Sequence, residues 1–177
     1  MTEENTQLKL VEPKHSALHN PALIDPFVTD IDWAQREKEM FELMHNNFGI
    51  GLASPQVGDS YNMFVMCHST LGDIGIYKPE ILEFSNDTVS LEEGCLTFPM
   101  LYLIIRRPQK IKVRYLKADG KTVVETWLEG IDARCFQHEY DHLQGKLFLD
   151  LVSELKLKMA HKKREKFFLK LKRQMGH

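Results

Sequence analysis

Apolar and polar positions divide the chain into segments of helical and of strand period. Trp33, Met40, Phe41, Met44 and Phe48 recur at helical spacing, a stripe broken only by Glu37. Asp32 stands where a cap belongs, so a core-packing helix is predicted to about Asn46. Before it, Pro13, Pro21 and Pro26 punctuate an irregular arm over residues 1–31. Tyr61–Cys67 reads as a mostly buried strand, with Cys67 as a small core hydrophobe. Ile74–Phe84 reads as a second, with an edge or bulge at Pro79, and Thr88–Glu92 as a short third. Lys110–Lys117 and Lys121–Glu129 flank Ala118-Asp119-Gly120 and predict a hairpin. A helix is expected from Ile131 or Asp132 to Leu143 or Gln144, stopped by Gly145. After a short apolar exit at Leu147–Asp150, the chain from Ser153 to about Met175 is strongly helical by propensity. Leu157, Phe167, Phe168 and Leu171 give it only a partial apolar face, which predicts a basic helix packed at its start.

Gly49 to Gly58 holds three glycines and a proline, the mark of a loop whose backbone comes close to something. No Lys-Ser/Thr pair follows and no strand precedes, so it is neither a phosphate loop nor a dinucleotide fingerprint. Gln56 is its one side chain with real hydrogen-bonding reach. A plain structural turn and a binding loop both remain open at this point.

The strongest chemical signal is Gln137-His138-Glu139-Tyr140-Asp141-His142-Leu143-Gln144-Gly145, which contains H-E-x-x-H. On a helix, the spacing of four stacks both imidazoles on one face, where they can bind one divalent ion. Glu139 then lies beside the ion without having to ligate it, as a general base acting on water requires. A polar surface helix with its histidines in register by chance is the plainer reading, and a catalytic metal needs a third protein ligand. Glu93-Gly94-Cys95-Leu96 offers a cysteine after two acids, although a buried inert thiol explains an isolated cysteine equally well.

With 177 residues, 43% hydrophobic and 27% charged, the chain fits one globular domain with a proper core. Three cysteines, Cys67, Cys95 and Cys135, argue against a disulfide framework and for a reducing, intracellular setting. No apolar run approaches the roughly 20 residues of a membrane span, and the acidic start resembles no leader. A cytoplasmic protein is expected. The net charge of −2 hides an asymmetry. Residues 153–177 hold seven Lys, two Arg and two Glu, a net of +7, which leaves −9 on residues 1–152. A basic tail on an acidic body points to an anionic partner for the tail.

Three motifs in order make the chain resemble the peptide deformylases: G-x-G-L-A-A-x-Q, E-G-C-L-S and Q-H-E-x-D-H-L-x-G. They stand here as Gly49–Gln56, Glu93–Thr97 and the H-E-x-x-H stretch, and the likeness runs from about Leu10 to Asp150. Ser54 replaces an Ala and Thr97 a Ser, small departures expected to touch no presumed ligand or catalytic side chain. Tyr77-Lys78-Pro79 stands for an Asn-Pro, and Met100-Leu101-Tyr102 lie where the family often has an Arg, changes that bear on substrate affinity. The resemblance implies an α+β fold, antiparallel strands around a central H-E-x-x-H helix, with an N-terminal helix and a basic C-terminal helix. It implies a catalytic domain over residues 1–152 and a helical tail over 153–177. It implies Cys95 as third ligand beside His138 and His142, holding Fe(II), with nickel, cobalt or zinc able to replace it.

The implied reaction removes the formyl group from the initiator formylmethionine of nascent peptides. Glu139 is the implied proton carrier, and the Gln56 amide and Leu96 N–H the oxyanion donors. Gly51 and Gly94 would hydrogen-bond the peptide, and Ile50, Ile131 and Cys135 would line a methionine pocket. Glu93 paired with Arg107, and Asp141 or Gln137, would orient the ligands. The tail would dock on ribosomal RNA. Two other readings stay in view. A zincin-type endopeptidase needs a further downstream ligand, for which only His161 and His177 are available. A closed, non-catalytic metal site needs a fourth ligand such as Cys67 or Cys135.

Overall fold

The computed structural model describes residues 8–175. The first seven residues of the expected irregular arm, and the last two of the tail, lie outside them. The order is α1 (Trp33–Asn46), β1 (Gly51–Ala53), β2 (Met63–His68), β3 (Gly72–Phe84), β4 (Thr88–Cys95) and β5 (Phe98–Pro108). Then follow β6 (Lys110–Leu116), β7 (Val123–Glu129), α2 (Gly130–Leu143) and α3 (Glu154–Met175). One antiparallel sheet runs β1-β2-β3-β6-β7, and β4 and β5 pair antiparallel as a second.

The apolar run in β2 follows from burial on both faces. Phe64 and Met66 join Ile76, Ile111, Val113 and Leu128 in a core under α2, where the Phe64 ring meets Phe136 edge-on at 5.1 Å. Met63 and Val65 point the other way, into Trp33, Met40 and Met44 of α1. A third cluster under β5 joins Leu101, Leu103 and Ile105 to Leu18, Phe148 and, from α3, Leu157 and Ala160. The basic helix is thus packed at its start, as its partial apolar face predicts.

Local signals account for most element ends. Asp32 accepts from the Gln35 amide at 3.1 Å and opens α1. Gly145 takes φ +67 past the end of α2, against the Asn20 backbone, where a Cβ would lie 2.8 Å from Asn20 C. Register shifts around Pro79 confirm a bulge there; β3 lies inside the sheet, so it is not an edge.

Four expectations change. Cys67 is exposed, because it is the fifth residue of β2 and lies beyond the last core position, Met66. Phe48 is 95% exposed, because α1 ends before it and φ +59 turns its side chain off the stripe. The Gly-rich stretch is not all loop: Gly51–Ala53 pairs with β2 as an edge strand. The longest unassigned run, Phe98–Pro108, is the eleven-residue strand β5.

Glu37, the one break in the α1 stripe, accepts from the Tyr77 hydroxyl at 2.7 Å over Gly75, which has no Cβ to obstruct it. Burial raises its carboxyl above the ordinary value, against the Tyr77 hydrogen bond. A raised folded-state pKa contributes stability below the unfolded value that is lost as pH rises through the folded one. Glu37→Gln keeps an acceptor for Tyr77 and removes that titration. Urea unfolding should therefore show the variant gaining on the parent between pH 4 and pH 8, by up to about 1 kcal/mol given the partial exposure.

Candidate active site

Cys135, His138, Glu139 and His142 follow at i, i+3, i+4 and i+7, so one face of α2 carries them all. That face is turned inward; each of the four is at most 8% exposed. The His138 and His142 rings stand 5.1 Å apart. From the end of β4, Cys95 brings its thiol to 3.3 Å from His142 Nε2. One donor atom each from Cys95, His138 and His142 lie within 4.8 Å of one another. Neither Cys67 nor Cys135 belongs to this cluster, and His161 lies on α3 outside it; His177 is beyond the described residues.

Two residues before Cys95, Glu93 organises what surrounds the cluster. Its carboxylate accepts from Arg107 Nε at 2.7 Å and Nη2 at 3.1 Å, and from Arg134 Nη1 at 2.8 Å. It also meets His138 Nδ1 at 3.0 Å, which leaves Nε2 of that ring for the cluster. Arg107 reaches on to Asp141 at 2.6 Å. Burial pushes the Glu93 carboxyl up, but hydrogen bonds from His138 and Arg107 and the Arg107 charge hold it far below the usual carboxylate range. Asp141 thus bears on the ligands through Arg107. Gln137 does not: its amide donates to the Pro108 and Ala133 carbonyls and ties α2 to the end of β5. Arg134 was missed by sequence reasoning, although its place one turn before His138 was a usable signal.

Gln56 is 1% exposed. Its Oε1 accepts from the Ala53 amide at 2.8 Å, which turns its NH2 toward Thr97 Oγ1 at 3.2 Å and Cys95 Sγ at 3.5 Å. Thr97, expected to touch no catalytic side chain, therefore does so, because the β4–β5 turn brings its hydroxyl beside Gln56. Gly51 lets β1 pass over Glu139: a Cβ there would strike the Glu139 carboxylate and lie 2.7 Å from Cys135 Sγ. Cys135 donates to the Ile50 carbonyl at 3.3 Å, and burial, then the Glu139 charge, keeps its thiol protonated.

These groups face a cleft of about 510 Å³ lined by Ile50, Gly51, Gln56, Gly94, Cys95, Leu96, Ile131, Cys135, His138 and Glu139. Of the ligands, catalytic groups and substrate contacts read from sequence, only His142 stands behind the lining; Arg107, Gln137 and Asp141, read as orienting residues, also lie outside it. Phe48, expected in the core, also lines the cleft, as does Met100, which stands among the departures from the family pattern. Glu139 Oε2 is buried without a hydrogen-bond partner among the described residues. Burial lifts that carboxyl to about 7, the His138 charge opposing it. Burial lowers the His138 imidazole, but hydrogen bonds to Cys95 and Glu93 carry it up to about 10, while burial takes His142 well below the ordinary value. One thiol sulfur and two imidazole nitrogens this close together can share a single divalent cation, which binds them deprotonated and takes the place of a proton.

A cysteine and two histidines clustered at and just behind the floor of an open cleft, beside a carboxyl with an unpartnered oxygen, are the donor set of a metal-dependent hydrolase on a mixed helix and antiparallel-sheet fold. The family described as Polypeptide deformylase matches residues 8–158, and the chain belongs to it. A peptide deformylase of Thermotoga petrophila is 46% identical over 126 residues, 71% of this chain and 76% of that one. The crystal structure of peptide deformylase from Thermotoga maritima superposes with TM-score 0.75 at 39% identity, covering 83% of this chain and 98% of that one. A Met-Ala-Ser-bound peptide deformylase from Acinetobacter baumannii gives 0.73 at 30% identity, covering 82% and 98%. Membership implies a catalytic metal, which the three clustered donors fit.

Removing the Glu93 charge should disturb all of its partners together. Glu93→Gln should cost about 3–5 kcal/mol in denaturant unfolding, since Arg134 is left as a buried charge without a carboxylate and Arg107 keeps only Asp141. Bound metal measured after dialysis should fall as affinity drops about 10- to 100-fold.

Proposed function

We propose that this enzyme hydrolyses the N-formyl group of formylmethionyl peptides, releasing formate and a free amino terminus. The observation that carries the reading is Glu139, a buried carboxyl with an unpartnered oxygen at the floor of a cleft that also holds Cys95 and His138. Cys95, His138 and His142 would hold one divalent ion. When bound, that ion supplies Lewis-acid activation of water and of the formyl carbonyl. We assign Fe(II) as the native ion on the family resemblance; zinc, nickel and cobalt suit the same donors.

Glu139 takes a proton from the attacking water and delivers it to the amine as the C–N bond breaks. The Gln56 NH2, held by Ala53, and the Leu96 N–H donate to the oxygen on which charge develops, about 3 kcal/mol for each such donor. β1 and β4 each offer an edge without a partner strand among the described residues, and both line the cleft. A peptide lying between them as an added strand would bond to the backbone at Gly51 and Gly94. The methionine side chain enters beside Ile50, Ile131 and Cys135. The Met-Ala-Ser held by the Acinetobacter relative supports this class of substrate.

We further assign residues 1–152 as the catalytic unit, in the cytoplasm, and the tail as its contact with the ribosome. Among the described residues, no helix is long and apolar enough to cross a membrane. Lys162, Lys163, Lys166, Lys170 and Lys172 are exposed on α3, placed for phosphate contacts with ribosomal RNA.

Fe(II)- or Ni(II)-loaded protein should release formate from formyl-Met-Ala-Ser, and Glu139→Ala should slow it by about 10²- to 10⁴-fold with the metal still bound. Loss of metal rather than of turnover in that variant would refute the role. Changing Lys163, Lys166, Lys170 and Lys172 to Gln should weaken ribosome co-sedimentation. The slope of log affinity against log salt should flatten by about 0.7–0.9 for each lysine that meets a phosphate. Turnover of the short peptide should be unaffected, and unaltered co-sedimentation would remove the docking role.

A further inference from the structure

Three residues other than glycine take a left-handed backbone among those described, and two of them, Phe48 and Met100, line the cleft. Phe48 occupies the position after the α1 cap. Its amide bonds to the His45 carbonyl at 3.0 Å and the Gly49 amide to the Met44 carbonyl at 2.9 Å, the paired bonds of a Schellman ending. Glycine favours that position; a phenylalanine there is strained, and at 95% exposure its ring contributes nothing to the core. Met100 reaches the cleft from the other sheet. The β4–β5 register steps from Gly94↔Tyr102 to Cys95↔Phe98, so residues 99–101 bulge out of the ladder, and Met100 stands on the bulge with φ +61. Strain of this kind persists only where the surrounding structure holds it, and it clusters at binding and catalytic sites.

From these two placements we infer that Phe48 and Met100 form an apolar clamp at the mouth of the cleft, which selects the residue following the formylmethionine. The inference rests on the deformylase reading. Side chains alternate along an extended peptide, so with methionine directed down to Ile50 and Cys135 the next side chain points outward, between Phe48 and Met100. Glu92 is the exposed carboxylate of the lining, since Glu93 and Glu139 are buried. The clamp therefore favours an apolar residue after methionine and disfavours an acidic one.

The test compares kcat/KM of the metal-loaded enzyme on formyl-Met-Leu-Ser, formyl-Met-Ala-Ser and formyl-Met-Asp-Ser. The parent should prefer the leucine peptide to the alanine peptide by about tenfold, mostly through KM. Phe48→Gly and Met100→Ala should each bring that ratio toward one, and Glu92→Gln should improve the aspartate peptide relative to alanine. Phe48→Gly should also raise Tm by about 2–4 °C as the strain is released. Formate release from all three peptides at equal rates, or a leucine preference that survives both substitutions, would overturn the clamp and leave the deformylase reading standing. A lowered Tm for Phe48→Gly would show that the ring serves the fold and would likewise overturn it. No formate from any peptide would overturn the deformylase reading and the clamp with it.

Discussion

Burying the Glu93 carboxylate would cost several kcal/mol unless donors met its lone pairs, and that requirement shapes the molecule around the cleft. Arg107 comes from β5, Arg134 and His138 from α2, and Glu93 itself from β4. The two-stranded sheet and the helix therefore cannot shift relative to one another without stranding a buried charge. Cys95 lies two residues along β4 from Glu93, and His138 rests directly on it. The same constraint that joins sheet to helix thus sets the distance between a thiol and two imidazoles.

The cleft exists because the two sheets do not merge. β1 and β4 each keep one edge without a partner strand among the described residues, and unpaired strand edges are a hazard that proteins ordinarily cover. Here the open edges flank the Cys95–His138–His142 cluster, where an extended ligand can take the place of a missing strand. Gly51 permits the close passage of β1 over Glu139, and the hydrogen bond from Ala53 to Gln56 aims the glutamine amide into the same space. The Gly-rich stretch serves as sheet edge, as a short 3-10 turn and as wall of the cleft.

Helix boundaries were well legible in the sequence, because their causes are local: the Asp32 cap, the Gly145 stop and the paired strands around Asp119 act over a few residues. The misreadings share another origin. Phe48 continues the helical spacing of α1, and nothing in that spacing reveals that the chain has left the helix. Cys67 ends an apolar run but lies past the core that buries the run. β5 was overlooked because Pro99 and Pro108 enclose it, and because alternation over Leu101, Leu103 and Ile105 is lost against the apolar residues between them.

By itself the sequence determined the chemical inventory: three motifs, a helix carrying two imidazoles and a carboxylate on one face, and a basic final helix. It did so because spacing along a single regular element is a local property. Only the tertiary structure decided how Cys95 meets that helix, that Arg134 joins Arg107 on Glu93, and where Phe48 and Met100 stand around the cleft. Those relations join residues far apart in the chain, and they depend on how two sheets pack against one helix, which no local periodicity encodes.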